Sequence, residues 1–255
     1  HLMRAFRNLT HAGGRGYCGY LAMTTQAGNY ARYVLSNLID ALDQPYSSPG
    51  VQTTGLMRLS LGLLESLPLV SPEERQQFRD GYVPLSEVPG RVHAYADEVI
   101  TDARFAHSDL DLIRALLYLQ REDPRIRIRV LKWLRCEDLS PYDRELIGHL
   151  VPRNQEESPL RTIVQLGQIM AALEGVPLIL CVDQLEDMFA QDEAVQRFRQ
   201  VVDTLVAITD AVPSSVVVIA CLEDYFTANR HQLSRTKLDR IERDPDPTRL
   251  TGQRT

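Results

Sequence analysis

The chain has 255 residues, 44% hydrophobic and 24% charged, enough apolar material for one medium core domain, with or without an insertion. Its net charge of -6 excludes a surface that coats nucleic acid as a whole through counterion release. No apolar run approaches the roughly 18 residues of a membrane helix, and the N-terminus lacks the zones of a signal peptide, so the expected compartment is the cytoplasm.

In chain order, residues 2–9 read as the end of a helix, closed by the turn formers His11, Ala12, Gly13 and Gly14. A strand follows over 16–24. Tyr30, Val34, Leu35, Leu38, Ile39 and Leu42 then fall on one helical stripe that Asn29 can cap. Residues 44–50 are turn-rich. A second stripe through Leu56, Leu59, Leu63 and Leu67 ends at Pro68. Residues 70–157 carry short helical stretches and several prolines but no convincing buried strand, and read as a largely helical insertion. Within them Ser108 is expected to cap a helix through Leu110, Ile113, Leu116 and Leu117 that stops before Asp123 and Pro124. The alternation at 125–130 would suit an edge strand, yet its continuation into Leu131, Trp133 and Leu134 favours a helix. Arg125, Arg127, Arg129, Lys132 and Arg135 cluster there, flanked by Glu122, Asp123, Glu137 and Asp138, and read as a solvated face rather than a phosphate track.

The last third is the most regular. Ser158 is expected to cap, and Pro159 to open, a helix that Gly175 ends. The apolar run 176–182 stops at Asp183, the pattern of a strand buried on both faces of a parallel sheet. A helix over 192–210 leads into a second such run, 216–220. The alternation implies an α/β fold around a parallel sheet with three recognisable strands. The expected division is an N-terminal part of the core at 1–69, the insertion at 70–157 and a C-terminal part of the core at 158–255.

Ligands of open parallel sheets sit beyond the carboxyl ends of the strands. There the chain places Asp183, Gln184, Glu186 and Asp187 after one run and Cys221, Glu223 and Asp224 after the next. A carboxylate at a buried strand tip is the Walker B pattern. Asp183 is the expected magnesium ligand, direct or through water, because magnesium takes hard oxygen donors and keeps several waters. Glu186, better spaced than Asp187, is the expected base for the attacking water.

The segment Asp183-Gln184-Leu185-Glu186-Asp187-Met188-Phe189 resembles the D-Q-x-E-x-x-F run of AAA+ and related STAND-type P-loop ATPases. The resemblance implies a partial P-loop NTPase core with ATP and Mg2+ as cofactors. It also implies nucleotide contacts from Asp183, Gln184 and the sensor-strand residues Cys221 and Glu223, and an arginine offered between subunits of a homo-oligomer, for which Arg240 is the preferred candidate. A glycine-rich phosphate loop, G-x-x-x-x-G-K-[ST], does not occur in the chain and is expected upstream of His1, so that residues 1–255 read as a piece of a longer protein, inactive by itself. Lys132-Trp133-Leu134-Arg135-Cys136-Glu137 is similar to a W-L-x-G-E segment in ATPases of bacterial phage-resistance loci, including BREX-type systems, with Cys136 in place of the glycine. That implies defence-system proteins or DNA as partners; packing of a helix pair is the competing role for Trp133. Alternatives are a STAND-type nucleotide-dependent switch and a non-enzymatic α/β scaffold.

Hydrolase chemistry with a serine nucleophile has no G-x-S-x-G elbow to rest on. The four cysteines, Cys18, Cys136, Cys181 and Cys221, are widely spaced and suggest neither a zinc site nor a disulfide framework.

Overall fold

The computed structural model describes residues 2–23, 28–48, 51–68, 70–186 and 194–242. Helix α1 (Leu2–Ala12) leads into strand β1 (Tyr17–Ala22) and helix α2 (Tyr30–Asp43). Asn29 caps α2 as expected, its side chain accepting from the Arg32 amide at 2.9 Å. The turn-rich stretch that follows is in fact paired: β2 (Pro45–Ser48) and β3 (Val51–Thr54) form a two-stranded antiparallel ribbon. Tyr46 holds it to α1, buried with its ring edge-on to His11 at 5.0 Å. Thr54 then caps α3 (Gly55–Glu65).

Residues 72–145 supply α4 (Pro72–Asp80), α5 (Val88–Val99), α6 (Leu110–Tyr118), α7 (Pro124–Leu134) and α8 (Pro141–Glu145), with no strand among the described residues. The cap of α6 is Asp109 rather than Ser108. Asp109 has the extended backbone of a cap and accepts from the Leu112 amide, whereas the Ser108 amide is spent on the Phe105 carbonyl. Helix α7 ends with Cys136 at φ 57, where the Glu137 amide reaches back to the Lys132 carbonyl and the Cys136 amide to that of Trp133. This left-handed Schellman ending is the conformation that glycine adopts without strain. The helical segment shares one apolar core with α2, α3 and the long helix α9 (Ser158–Glu174).

Helix α9 opens on Ser158 as a helical residue, with Glu157 before it and no side-chain cap, so Ser158 is not the cap expected of it. Gly175, left-handed at φ 66, ends it as expected. Strand β4 (Leu178–Asp183) follows, then α10 (Ala194–Ala211), β5 (Val216–Ile219), α11 (Glu223–Asn229), a short turn at Arg230–Gln232 and α12 (Arg235–Glu242).

Strands β1, β4 and β5 make a parallel sheet with β4 in the centre. On one face Tyr17, Leu21, Leu178, Leu180 and Val182 enter the main core under α2, α9 and α10. Helix α2 rides so close to β1 that a Cβ at Gly19 would stand 2.8 Å from Leu38 Cδ1. The other face carries Cys18, Ile179 and Cys181, against which Met3 of α1, Tyr20 and Val218 pack. Strand β5 departs from the expectation of burial on both faces. It pairs only with β4 among the described residues, and Val216 is 46% exposed, because nothing among those residues covers its outer edge.

His11 ties α1 to the sheet. Its Nε2 accepts the Cys18 amide at 2.7 Å, so the buried ring must be neutral there. Burial first, then the charges of Arg7 and Arg58, push its pKa down from 6.5 to about 4. A folded pKa below the unfolded one contributes stability that is complete above the unfolded value and is lost as pH falls toward the folded one. Urea unfolding is therefore expected to show a loss of about 2 kcal/mol between pH 7 and pH 5 from this residue. His11→Gln, which keeps an acceptor but cannot titrate, should flatten that loss; an unchanged pH slope would refute the assignment.

Candidate functional site

The central position of β4 decides where the candidate site lies. Its tip is bracketed by the ends of β1 and β5: the Met23 amide donates to the Asp183 carbonyl at 2.9 Å, and the Ala220 amide to that of Val182 at 2.8 Å. At the β1 tip, Tyr33 of α2 donates its hydroxyl to the Ala22 carbonyl.

Asp183 closes β4 half-buried. Its Oδ1 accepts the Gln184 amide at 3.0 Å and its Oδ2 accepts the Tyr20 hydroxyl at 3.1 Å, fixing the carboxylate plane. Gln184 itself is exposed and left-handed at φ 59, an unfavourable region for a residue with a side chain. That turn ends the strand abruptly and sends Leu185 back into the core, 3% exposed. With Leu185 anchored, Glu186 is held half-buried toward β5, its Oε2 3.4 Å from the Leu222 amide. Burial, and secondarily the Glu186 charge, push the neighbouring Cys221 thiol above its ordinary range. A protonated, weakly polar thiol therefore sits beside a carboxylate.

The structure thus brings Asp183, Gln184, Glu186 and Cys221 together across two adjacent strand tips. Glu223 is close in sequence, exposed in the first turn of α11. Asp187 lies outside the described residues. Arg240 does not join this group within the chain: α12 lies along α10, with Lys237 paired to Asp203 and Arg240 to Asp210 at the far end of that helix from the acidic tips. Tyr20 was missed by sequence reasoning. Only the β1–β4 pairing, which aligns Tyr20 with Cys181 and leaves Asp183 two residues on, discloses it.

No protein-family model, curated protein or solved structure matches the chain. The reading of the site rests on its own geometry. Among the described residues no group of three or more His, Cys, Asp or Glu side chains is arranged to hold a metal ion, and none of the helices is long and apolar enough to cross a membrane.

Proposed function

We propose that the chain is part of a P-loop ATPase and that the β4 tip is the acidic half of its nucleotide site. The observation that carries the reading is the placement of two carboxylates, Asp183 and Glu186, at the carboxyl end of the central strand of a parallel sheet, one fixed by Tyr20 and the other turned toward the next strand tip. This is where open α/β sheets bind ligands. The left-handed Gln184 adds a strained residue at the same point, and such strain concentrates at functional sites.

The residues fit magnesium in a limited sense. A carboxylate offers about four lone-pair sites, and Asp183 uses two of them in hydrogen bonds, so it retains room for a hydrated cation. Magnesium is content with one or two carboxylates alongside waters and phosphate oxygens. When bound, it would offset the charge of the transferred phosphoryl group. Glu186 would hold the attacking water and accept its proton.

A phosphate loop would come from chain upstream of residue 1, on a further parallel strand beside β5. The edge of β5, open among the described residues, and the order β1-β4-β5 that leaves that edge next to the acidic tip support this arrangement. A homo-oligomer in which Arg240 serves a neighbour's site, and a role in phage defence or DNA-linked processes, belong to the same proposal. They rest on the resemblances at 183–189 and 132–137.

Magnesium-dependent ATP binding and hydrolysis, measured on the chain extended upstream and on residues 1–255 alone, tests the reading. The extended protein is expected to hydrolyse ATP and the shorter one to be inactive. An upstream sequence without G-x-x-x-x-G-K-[ST], or hydrolysis by residues 1–255 alone, would overturn it.

A further inference from the structure

Cys18 and Cys181 are both 0% exposed, and their sulfurs lie 3.7 Å apart across the parallel pair β1 and β4. They sit on the sheet face that α1 covers, opposite the main core. Side chains two residues apart on a strand share a face, so the same diagonal recurs one step further along as Tyr20 and Asp183, which are hydrogen-bonded at 3.1 Å. The two pairs form successive steps of one ladder, the thiols directly beneath the acidic tip.

We propose that Cys18 and Cys181 are a redox-active dithiol that a peroxide closes into a reversible disulfide, tying β1 to β4 immediately below the Tyr20–Asp183 contact. The sulfurs must close from 3.7 Å to about 2 Å, and because the pair is diagonal across the strands, where neighbours stand about 7–8 Å apart, closure takes a small shift of the backbone as well as side-chain rotation. The Cys181 thiolate attacks one peroxide oxygen: an S–O bond forms, the O–O bond breaks, and hydroxide leaves to take up a proton as water. The Cys18 sulfur then attacks the Cys181 sulfenic acid, forming the S–S bond and breaking the S–O bond. The departing hydroxide leaves with the Cys18 proton as a second water. Two thiols and one hydrogen peroxide thus give one disulfide and two waters.

Access comes through α1, whose 11 residues are fewer than the roughly 12–15 at which a helix is even marginally stable by itself. Opening of that helix costs less than unfolding the sheet beneath it. The proposal is independent of the ATPase reading, because it concerns the two thiols whatever the tip binds.

The experiment treats the native chain with hydrogen peroxide, alkylates the remaining thiols after denaturation, and maps them by mass spectrometry. Cys18 and Cys181 are expected to lose alkylation together, to appear as one cross-linked peptide pair, and to be recovered by dithiothreitol. In Cys18→Ser, Cys181 should instead be trapped by dimedone as a sulfenic acid. Amide hydrogen exchange over 17–22 and 178–183 in the oxidised wild type should slow, which a cross-link formed only after unfolding would not produce. The proposal is overturned if both thiols stay free, if Cys181 oxidises without linking to Cys18, or if exchange across the two strands accelerates on oxidation.

Discussion

ATP turnover in the upstream-extended protein carrying Glu186→Gln is expected to fall about 10²–10⁴-fold, the range that removal of a positioned general base produces. Binding of ATP with magnesium should be retained. The amide has the shape of the carboxylate and still offers an oxygen to the Leu222 amide, so the segment from Leu185 to Glu186 should keep its place. What is lost is the capacity to accept a proton from the attacking water. A loss confined to a step made only in the transition state lowers kcat and kcat/KM together. Single-turnover hydrolysis and equilibrium binding of a fluorescent ATP analogue separate the two effects. Undiminished turnover would remove Glu186 from the mechanism, and a collapse of ATP binding would reassign it to holding the nucleotide or its cation.

The parts of this site legible in the sequence were those that lie on single segments. Asp183 and Glu186 follow an apolar run, and a run of that kind states its own tip. Cys221 was reachable by applying the same rule to the next run. Tyr20 was not, because its role depends on β1 pairing with β4, a contact between segments about 160 residues apart on which local pattern carries no information. The same limit explains β5. A run of Val and Ile indicates a buried strand, yet among the described residues β5 pairs only with β4, and its burial depends on what else pairs with it.

The ribbon at 45–54 hid for a different reason. Pro45, Ser47, Ser48, Pro49 and Gly50 are turn formers, and the pairing is upheld by the seat of Tyr46 against α1 rather than by alternating apolar residues of its own. The cap of α6 was misplaced by one residue because Ser108 and Asp109 are both good caps, and only the backbone decides between them. The helix stripes at 30–42, 56–67 and 110–117 were legible, since 3.6-residue periodicity is a property of the segment alone, whereas the comparable stripe of α5 was read only as part of a helical stretch.

Trp133→Ala is expected to destabilise the fold by about 3–5 kcal/mol, the range for removing a buried tryptophan side chain. Trp133 is 1% exposed, and its indole N–H donates to the Val151 carbonyl at 2.8 Å. The Arg153 guanidinium lies 4.1 Å from its ring centroid. Arg153 is half-buried, paired with Asp109 at 2.8 Å and donating to Thr162 Oγ1 at 2.6 Å; desolvation pulls its pKa down while Asp109 opposes that. Since Asp109 also caps α6, removing the indole loosens the charge that joins the start of α6 to α9 and leaves a cavity between α7 and its neighbours. Trp133→Phe keeps most of the bulk and should cost less, with about 1 kcal/mol of its loss assigned to the missing hydrogen bond. Urea unfolding followed by far-ultraviolet circular dichroism measures both variants, because the only tryptophan reporter is the residue removed. A cost below about 1 kcal/mol for Trp133→Ala would contradict a packing role. Paired with a selective loss of ATP turnover, that result would return the 132–137 segment to the functional role that its resemblance implies.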